Sequence, residues 1–185
     1  MDEEFRSLQG KLLIASPTLI DPNFHRTVVL VTGHTAEGAM GVVLNRPSPL
    51  GVDEAAPPLA SLLETGARVH LGGPVQPQAV VVLAEFDDPS QAATLAFDDV
   101  GFIRADGERS EQAGHTRRAR VFAGYSGWDS GQLEVELAQS AWIVEPALAA
   151  DVFTAEPEDL WSSVLRRKGG AFAVLALMPL DPSLN

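Results

Sequence analysis

The chain contains no cysteine, which excludes disulfides, thiolate nucleophiles and cysteine-based zinc sites. Basic residues are scarce. Thirteen lysines and arginines stand against 25 aspartates and glutamates, a formal net charge of −12. Such a field repels phosphate backbones and anionic lipid, so nucleic-acid binding would need a local basic patch. Two short clusters exist, Arg117/Arg118/Arg120 and Arg166/Arg167/Lys168, and both are too small to outweigh the global charge. No window approaches the roughly 18 apolar residues that a membrane-spanning helix needs. The amino-terminal MDEEFRSLQG is acidic and lacks the apolar stretch of a signal peptide. No internal repeat or low-complexity tract is present. The expectation is a soluble, cytoplasmic protein with no membrane contact and no direct nucleic-acid binding.

What is present suits one domain spanning 1–185. The length is that of a single unit, and 45% hydrophobic residues can supply a sizeable core. Three apolar runs read as strands: Lys11–Ala15, Thr27–Thr32 and Gly41–Asn45. The first two are continuous, as strands covered on both faces are. Gly33 to Gly41 reads as a glycine-studded connection, long enough for a wide hairpin or a short helical turn, and residues 48–58 as a proline-rich loop. Shorter strands are expected at Val69–Leu71, Ala79–Leu83, Phe102-Ile103, Val121-Phe122 and Trp142–Val144. A short helix is expected over Leu59–Thr65, and residues 106–118 read as a polar loop. Ser130 is placed to cap a helix through Gln139. The clearest helix is Pro157–Lys168, with proline and acids at its start, basic residues at its end, and Gly169-Gly170 behind it. The apolar Ala171–Met178, bounded by glycines and a proline, reads as a buried strand. Strands and helices mix without the regular spacing of a doubly wound sheet. That pattern points to an α+β fold with a complex mixed, strongly bent or barrel-like sheet surrounded by helices.

Several segments carry a resemblance. They are Gly10–Pro22 (GKLLIASPTLIDP), Gly38–Pro47 (GAMGVVLNRP), Gly72–Val75 (GGPV), Gly124–Leu137 (GYSGWDSGQLEVEL), Ala141–Val144 (AWIV), Leu160-Trp161 and Asp181–Asn185 (DPSLN). In this order, and over nearly the whole chain, they resemble the YqgE/AlgH family of bacterial proteins. The resemblance implies an α+β domain with a small closed or bifurcated sheet among helices. It carries no assigned enzymatic activity. Some members are described as regulators of transcription, which implies a non-enzymatic binding or regulatory protein and, more finely, an indirect transcriptional regulator.

The chemical candidates lie on three segments read as strand-end turns: 33–38, 45–47 and 124–129. His34, Asn45, Arg46, Ser126 and Trp128 are the residues expected to bind a ligand or partner, if the three turns converge on one depression. Arg46 would attract an anionic group, and His34 would add a donor that titrates near neutral pH. The bland alternative is that Asn45 bonds local backbone and Arg46 pairs with one of many acids. A hydrolase-like site around the same turns is the enzymatic alternative. Ser126 with His34 or His115 and Asp129 would form its triad. GYSGW, however, misplaces the second glycine of a G-x-S-x-G elbow, and no catalytic residue is assigned. The histidines at 25, 34, 70 and 115 show no i, i+4 pair and no His-x-Glu motif, so no metal is expected. Gly72-Gly73-Pro74 and the spaced glycines lack the lysine of a P-loop and read as tight turns, so no cofactor is expected. The partner is an unidentified protein or small molecule.

Overall fold

A computed structural model describes residues 5–104 and 114–180. Ten strands of the described residues form one bent sheet: β1 Lys11–Ala15, β2 Val28–Thr35, β3 Gly38–Val43, β4 Pro47–Gly51, β5 Arg68–Leu71, β6 Val75–Phe86, β7 Thr94–Phe97, β8 Val100–Phe102, β9 Thr116–Asp129 and β10 Trp142–Pro146. The main path runs β10-β1-β2-β3-β9-β6-β8-β7. The sheet forks at β9. Its last residues pair antiparallel with β3, and its middle pairs parallel with β5 and antiparallel with β6. The short β4 pairs only with β5. The sheet bends far enough that β7 packs back against β2, and the Gln9 side-chain amide donates to Leu95 O and Ala96 O there. Among the described residues, five helices surround it: α1 Val52–Ala55, α2 Gln132–Ala138, α3 Ala149–Val152, α4 Leu160–Lys168 and α5 Ala171–Leu175. The fold is a single α+β domain with a strongly bent sheet.

Side chains alternate across a strand, so the continuous apolar runs of β1, β2 and β3 feed two cores at once. Leu12, Ile14, Val28, Leu30 and Val42 face one cluster, completed by Phe122 and by Trp161, Val164 and Leu165 of α4. Leu13, Ala15, Val29, Val31 and Val43 face the other, completed by Trp128, Trp142 and Leu133 of α2. Trp161 is almost fully buried and donates from its indole to Ala15 O at 2.9 Å. The helix expected over 157–168 is present as a 3₁₀ turn, Pro157–Asp159, running into α4.

Several expectations need correction. Ala171–Met178 is not a buried strand. Gly169 and Gly170 both adopt positive φ and reverse the chain, and Ala171–Leu175 then winds into a helix against α4. Val174 and Leu177 are exposed rather than interior. Gly33–Gly41 is a hairpin, but a tight rather than a wide one, because β2 and β3 run through it to Ala36-Glu37. The 48–58 stretch holds an edge strand and α1; Pro47 is tolerated as the first residue of that edge strand. The helix expected over Leu59–Thr65 is a 3₁₀ turn at Pro57–Leu62. Gly131, not Ser130, precedes α2, and Ser130 Oγ donates instead to Ala36 O. Segment 124–129 is strand, kinked by positive φ at Gly124. Of the loop expected at 106–118, residues 106–113 lie outside the described residues, and Thr116 onward is strand.

Candidate functional site

The structure commits every residue singled out from sequence to a fixed contact. Asn45 Oδ1 accepts from Val28 N at 2.8 Å, and its amide donates to Arg26 O at 2.8 Å. Arg46 donates to the carbonyls of Pro22, Asn23 and His25, so it clasps the 22–25 loop rather than an acid. Ser126 is fully buried and donates to Gly72 O at 3.1 Å. Trp128 Nε1 donates to Glu136 Oε2 at 2.9 Å, and Trp142 Nε1 reaches the same oxygen at 2.7 Å. His34 Nδ1 accepts from Leu8 N at 3.0 Å. Its proton therefore sits on Nε2 and is shared with Glu134 Oε1 at 2.9 Å.

These residues do not converge on one depression. His34 and Trp128 share a row, each opposite Ala39 of β3. Asn45 and Arg46 lie at the other end of β2, where Asn45 holds Val28. Six residues of strand separate Val28 from His34, about 20 Å at the usual rise of ~3.3 Å per residue. Gly72-Gly73 is a packing device and not a cradle. A Cβ on Gly72 would collide with Gly124 O, and one on Gly73 with the Tyr125 carbonyl group.

A concave site lies elsewhere. A groove of about 450 Å³ opens between residues 61–68, β5, the first half of β9, and the 153–157 segment. Register explains it. His70 pairs parallel with Phe122, which sets Arg68 beside Arg120. Alternation then puts Arg68 and His70 of β5 on the same face as Arg118 and Arg120 of β9. Arg118 lies over the Phe153 ring at 5.0 Å and donates to Glu85 Oε2 at 2.6 Å. Arg68 holds Glu158 at 3.3 Å with both side chains largely exposed. Arg117, on the rim, pairs with Asp99 and Glu85.

Two groups in the groove are not fully used. Arg120 donates only to the carbonyls of Val152 and Thr154, at 2.9 and 2.8 Å, and has no carboxylate within salt-bridge distance among the described residues. Burial, then the neighbouring Arg118 and Arg68, lower its pKa, with Glu64 opposing. His70 is 4% exposed, and its Nε2 is covered from solvent without a hydrogen-bond partner. Its Nδ1 lies 3.2 Å from Arg68 O, so Nδ1 carries the proton and Nε2 presents a bare lone pair. Burial, then the positive charge of Arg120, push the His70 pKa down from 6.5 to about 4. Orphaned buried atoms of this kind are rare in folded proteins and call for an explanation.

Sequence reading missed the groove because it weighed Arg117, Arg118 and Arg120 only as a nucleic-acid patch. The available signal was the period-two spacing of Arg118, Arg120 and Phe122, matched by Arg68 and His70. Two residues of the other basic cluster are spent internally, Arg167 chelating Asp151 at 2.7 and 2.9 Å and Lys168 holding Glu145 at 3.2 Å, while Arg166 is exposed. Among the described residues, no three His, Asp or Glu side chains group as metal ligands would. No helix among them is long and apolar enough to cross a membrane.

A bent sheet forked at one long strand, with helices on both faces, defines a class of α+β domain in which fold and polar contacts are now fixed by named residues. The AlgH-like family model matches residues 12–173, and the chain belongs to that family. The resemblance carried by GYSGW, GQLE and AWIV is thereby shown. A Thermobifida fusca relative, named as a UPF0301 protein, is 44% identical over 97% of this chain and 96% of its own length. A crystal structure of a Corynebacterium diphtheriae protein matches with a TM-score of 0.87 at 25% identity, covering 95% of both chains. The solution structure of the AlgH protein from Pseudomonas aeruginosa matches with a TM-score of 0.71 at 31% identity, covering 98% of this chain and 100% of that one.

Proposed function

We propose that this protein is a non-enzymatic binding protein of regulatory type, and that the groove between β5, β9 and the 153–157 segment is its ligand site. One observation carries the reading. The groove holds a half-buried guanidinium and a buried imidazole that the fold leaves incompletely bonded, whereas the polar side chains singled out at 34, 45, 46, 126 and 128 are all spent on the fold. Its volume of about 450 Å³ lies in the range of small-molecule sites.

Catalysis is the weaker reading of the same groove. Ser61 and Thr65 line it, yet neither hydroxyl bonds His70 Nε2. An imidazole with a pKa of about 4 is a poor proton acceptor near neutral pH. The hydrolase alternative at 33–38, 45–47 and 124–129 has no observation in its favour, since Ser126 donates to a backbone carbonyl and His34 is held between Leu8 and Glu134. Regulation of transcription would then be indirect, through what the groove binds, because a net charge of −12 opposes direct DNA contact.

Amide NMR with a mixed library of charged and neutral small molecules tests this reading. Library members are expected to move amide signals at 64–70 and 117–120, while esterase, phosphatase and nuclease assays stay silent. A library that never perturbs the groove overturns the proposal. So does turnover that Arg120→Ala abolishes.

A further inference from the structure

Resting on the groove as a ligand site, the geometry points to a ligand class: we infer that the groove holds a small hydroxylated oxyanion, a phosphate ester or a carboxylate, with its anionic group on Arg120 and Arg68 and a hydroxyl donating to His70 Nε2.

Arg120 supplies the anion seat. A guanidinium has five N–H donors, and the carbonyls of Val152 and Thr154 take one from each terminal nitrogen. The remaining donors fit the oxygens of a carboxylate or phosphate, which planar guanidiniums recognise in pairs. Arg68 stands beside it through the β5–β9 register, held by an exposed glutamate at 3.3 Å that a better-placed anion can replace. Arg118 adds charge from the next position on the same face. Glu85 and Glu158 already pair with Arg118 and Arg68, so Arg120 is the groove arginine left without a carboxylate among the described residues, and a bound anion offsets the like charges beside it.

His70 sets the second requirement. Its Nδ1–H is given to Arg68 O, so Nε2 can only accept. The missing partner is therefore a donor. Water-soluble oxyanions commonly carry one as a hydroxyl near the anionic group. Nε2 is covered from solvent and His70 is among the residues lining the groove, so a wall side chain must give way for the hydroxyl to arrive. Arg68 can shift with the anion it holds, being 46% exposed and, among the described residues, tied by its side chain to Glu158, itself 61% exposed.

The test uses the full chain and matched probe pairs followed at the groove amides: glycerol 3-phosphate against propyl phosphate, and malate against succinate. Glycerol 3-phosphate or malate is expected to bind about tenfold more tightly than its partner lacking the hydroxyl, as a buried acceptor left unpaired would dictate. His70→Phe should erase that preference and keep the weaker affinity. Arg120→Ala should weaken every oxyanion by at least about tenfold, with Arg120→Lys intermediate because it keeps the charge but not the fork. If Arg120→Ala fails to fold, the exposed Arg68→Ala takes its place. Glu64→Gln should tighten binding by removing a competing carboxylate. Phosphate and carboxylate pairs tell the two sources apart, and preference for either supports the inference. Equal binding within both pairs overturns the hydroxyl contact. Groove signals that respond to neutral or cationic library members but to no oxyanion overturn the ligand class while leaving the groove as a site. Groove signals that respond to nothing overturn both.

Discussion

The two arms of the forked sheet treat polar groups in opposite ways. His34, in the β1–β3 arm, and His70, in the β5–β9 arm, are similarly buried, at 6% and 4% exposure. Both nitrogens of His34 are bonded, to Leu8 N and to Glu134. One nitrogen of His70 is bonded and the other has no partner. The arginines divide the same way. Arg46 gives its donors to three carbonyls of one loop, whereas Arg120 gives two and keeps the rest beside an open groove. Burial alone therefore does not mark a functional residue. An unspent hydrogen-bonding group next to a cavity marks a candidate, because the fold bears its desolvation without return.

The largest effect expected is at the junction of the arms. Trp161→Ala should cost on the order of 3–5 kcal/mol, read from the shift of the denaturant midpoint. It removes a side chain that is 2% exposed and an indole bond to Ala15 O. An unchanged midpoint would detach α4 from the shared core. Next comes the pH response of His70. Its folded pKa is depressed, so well above pH 6.5 the group is neutral in both states and adds no pH dependence. As pH falls towards about 4, the unfolded chain takes a proton that the folded one refuses, and stability drops by about 3 kcal/mol. His70→Phe should flatten the stability profile between pH 6.5 and 4. A variant with the same slope as the parent would place the titration elsewhere.

Three smaller effects sharpen the contrast between the arms. Arg46→Ala should destabilise by roughly 1.5–3 kcal/mol, because three loop carbonyls lose a charged donor. Thermal unfolding measures it, and a neutral result would make the clasp ornamental. The smallest effect is at neutral pH: His70→Phe should alter stability by less than about 1 kcal/mol, since removing an unpaired polar atom offsets the lost bond to Arg68 O. His34→Phe in the same assay should cost roughly 2 kcal/mol, leaving the Leu8 amide without its acceptor. Equal losses at the two histidines would erase the distinction on which the groove assignment stands.

Much of the fold was legible where one signal dominated. Lys11–Ala15, Val28–Val31 and Trp142–Val144 are β-branched or apolar runs, and they are strands because both sheet faces are covered. Ala171–Met178 misled because an apolar run does not by itself distinguish a strand from a helix. Its alanines favour helix, and the two left-handed glycines before it set the reversal. Gly124–Trp128 looked like a turn because glycine marks turns and kinked strands alike. The family signature was legible for the same reason that the site was not. Contiguous blocks identify a fold, whereas the groove exists only through the register that sets Arg68 beside Arg120, and that pairing is written in no single segment.

The fork at β9 also dictates the order in which this chain can fold. Strand β9 joins residues 38–41, 68–71 and 75–86 to residues 116–129, and β10 reaches back from 142–146 to cover β1. Such distant pairings give a high contact order, and folding rates fall as contact order rises. While the chain is being synthesised, β3 and β1 each keep an open edge until their partners emerge. Open apolar edges invite pairing with other chains. A chain released after residue 140 should therefore aggregate or remain protease-sensitive, and one released after α4 should not. Limited proteolysis of the two stalled lengths would decide it: equal protection would show that the first arm folds without β10 to close it.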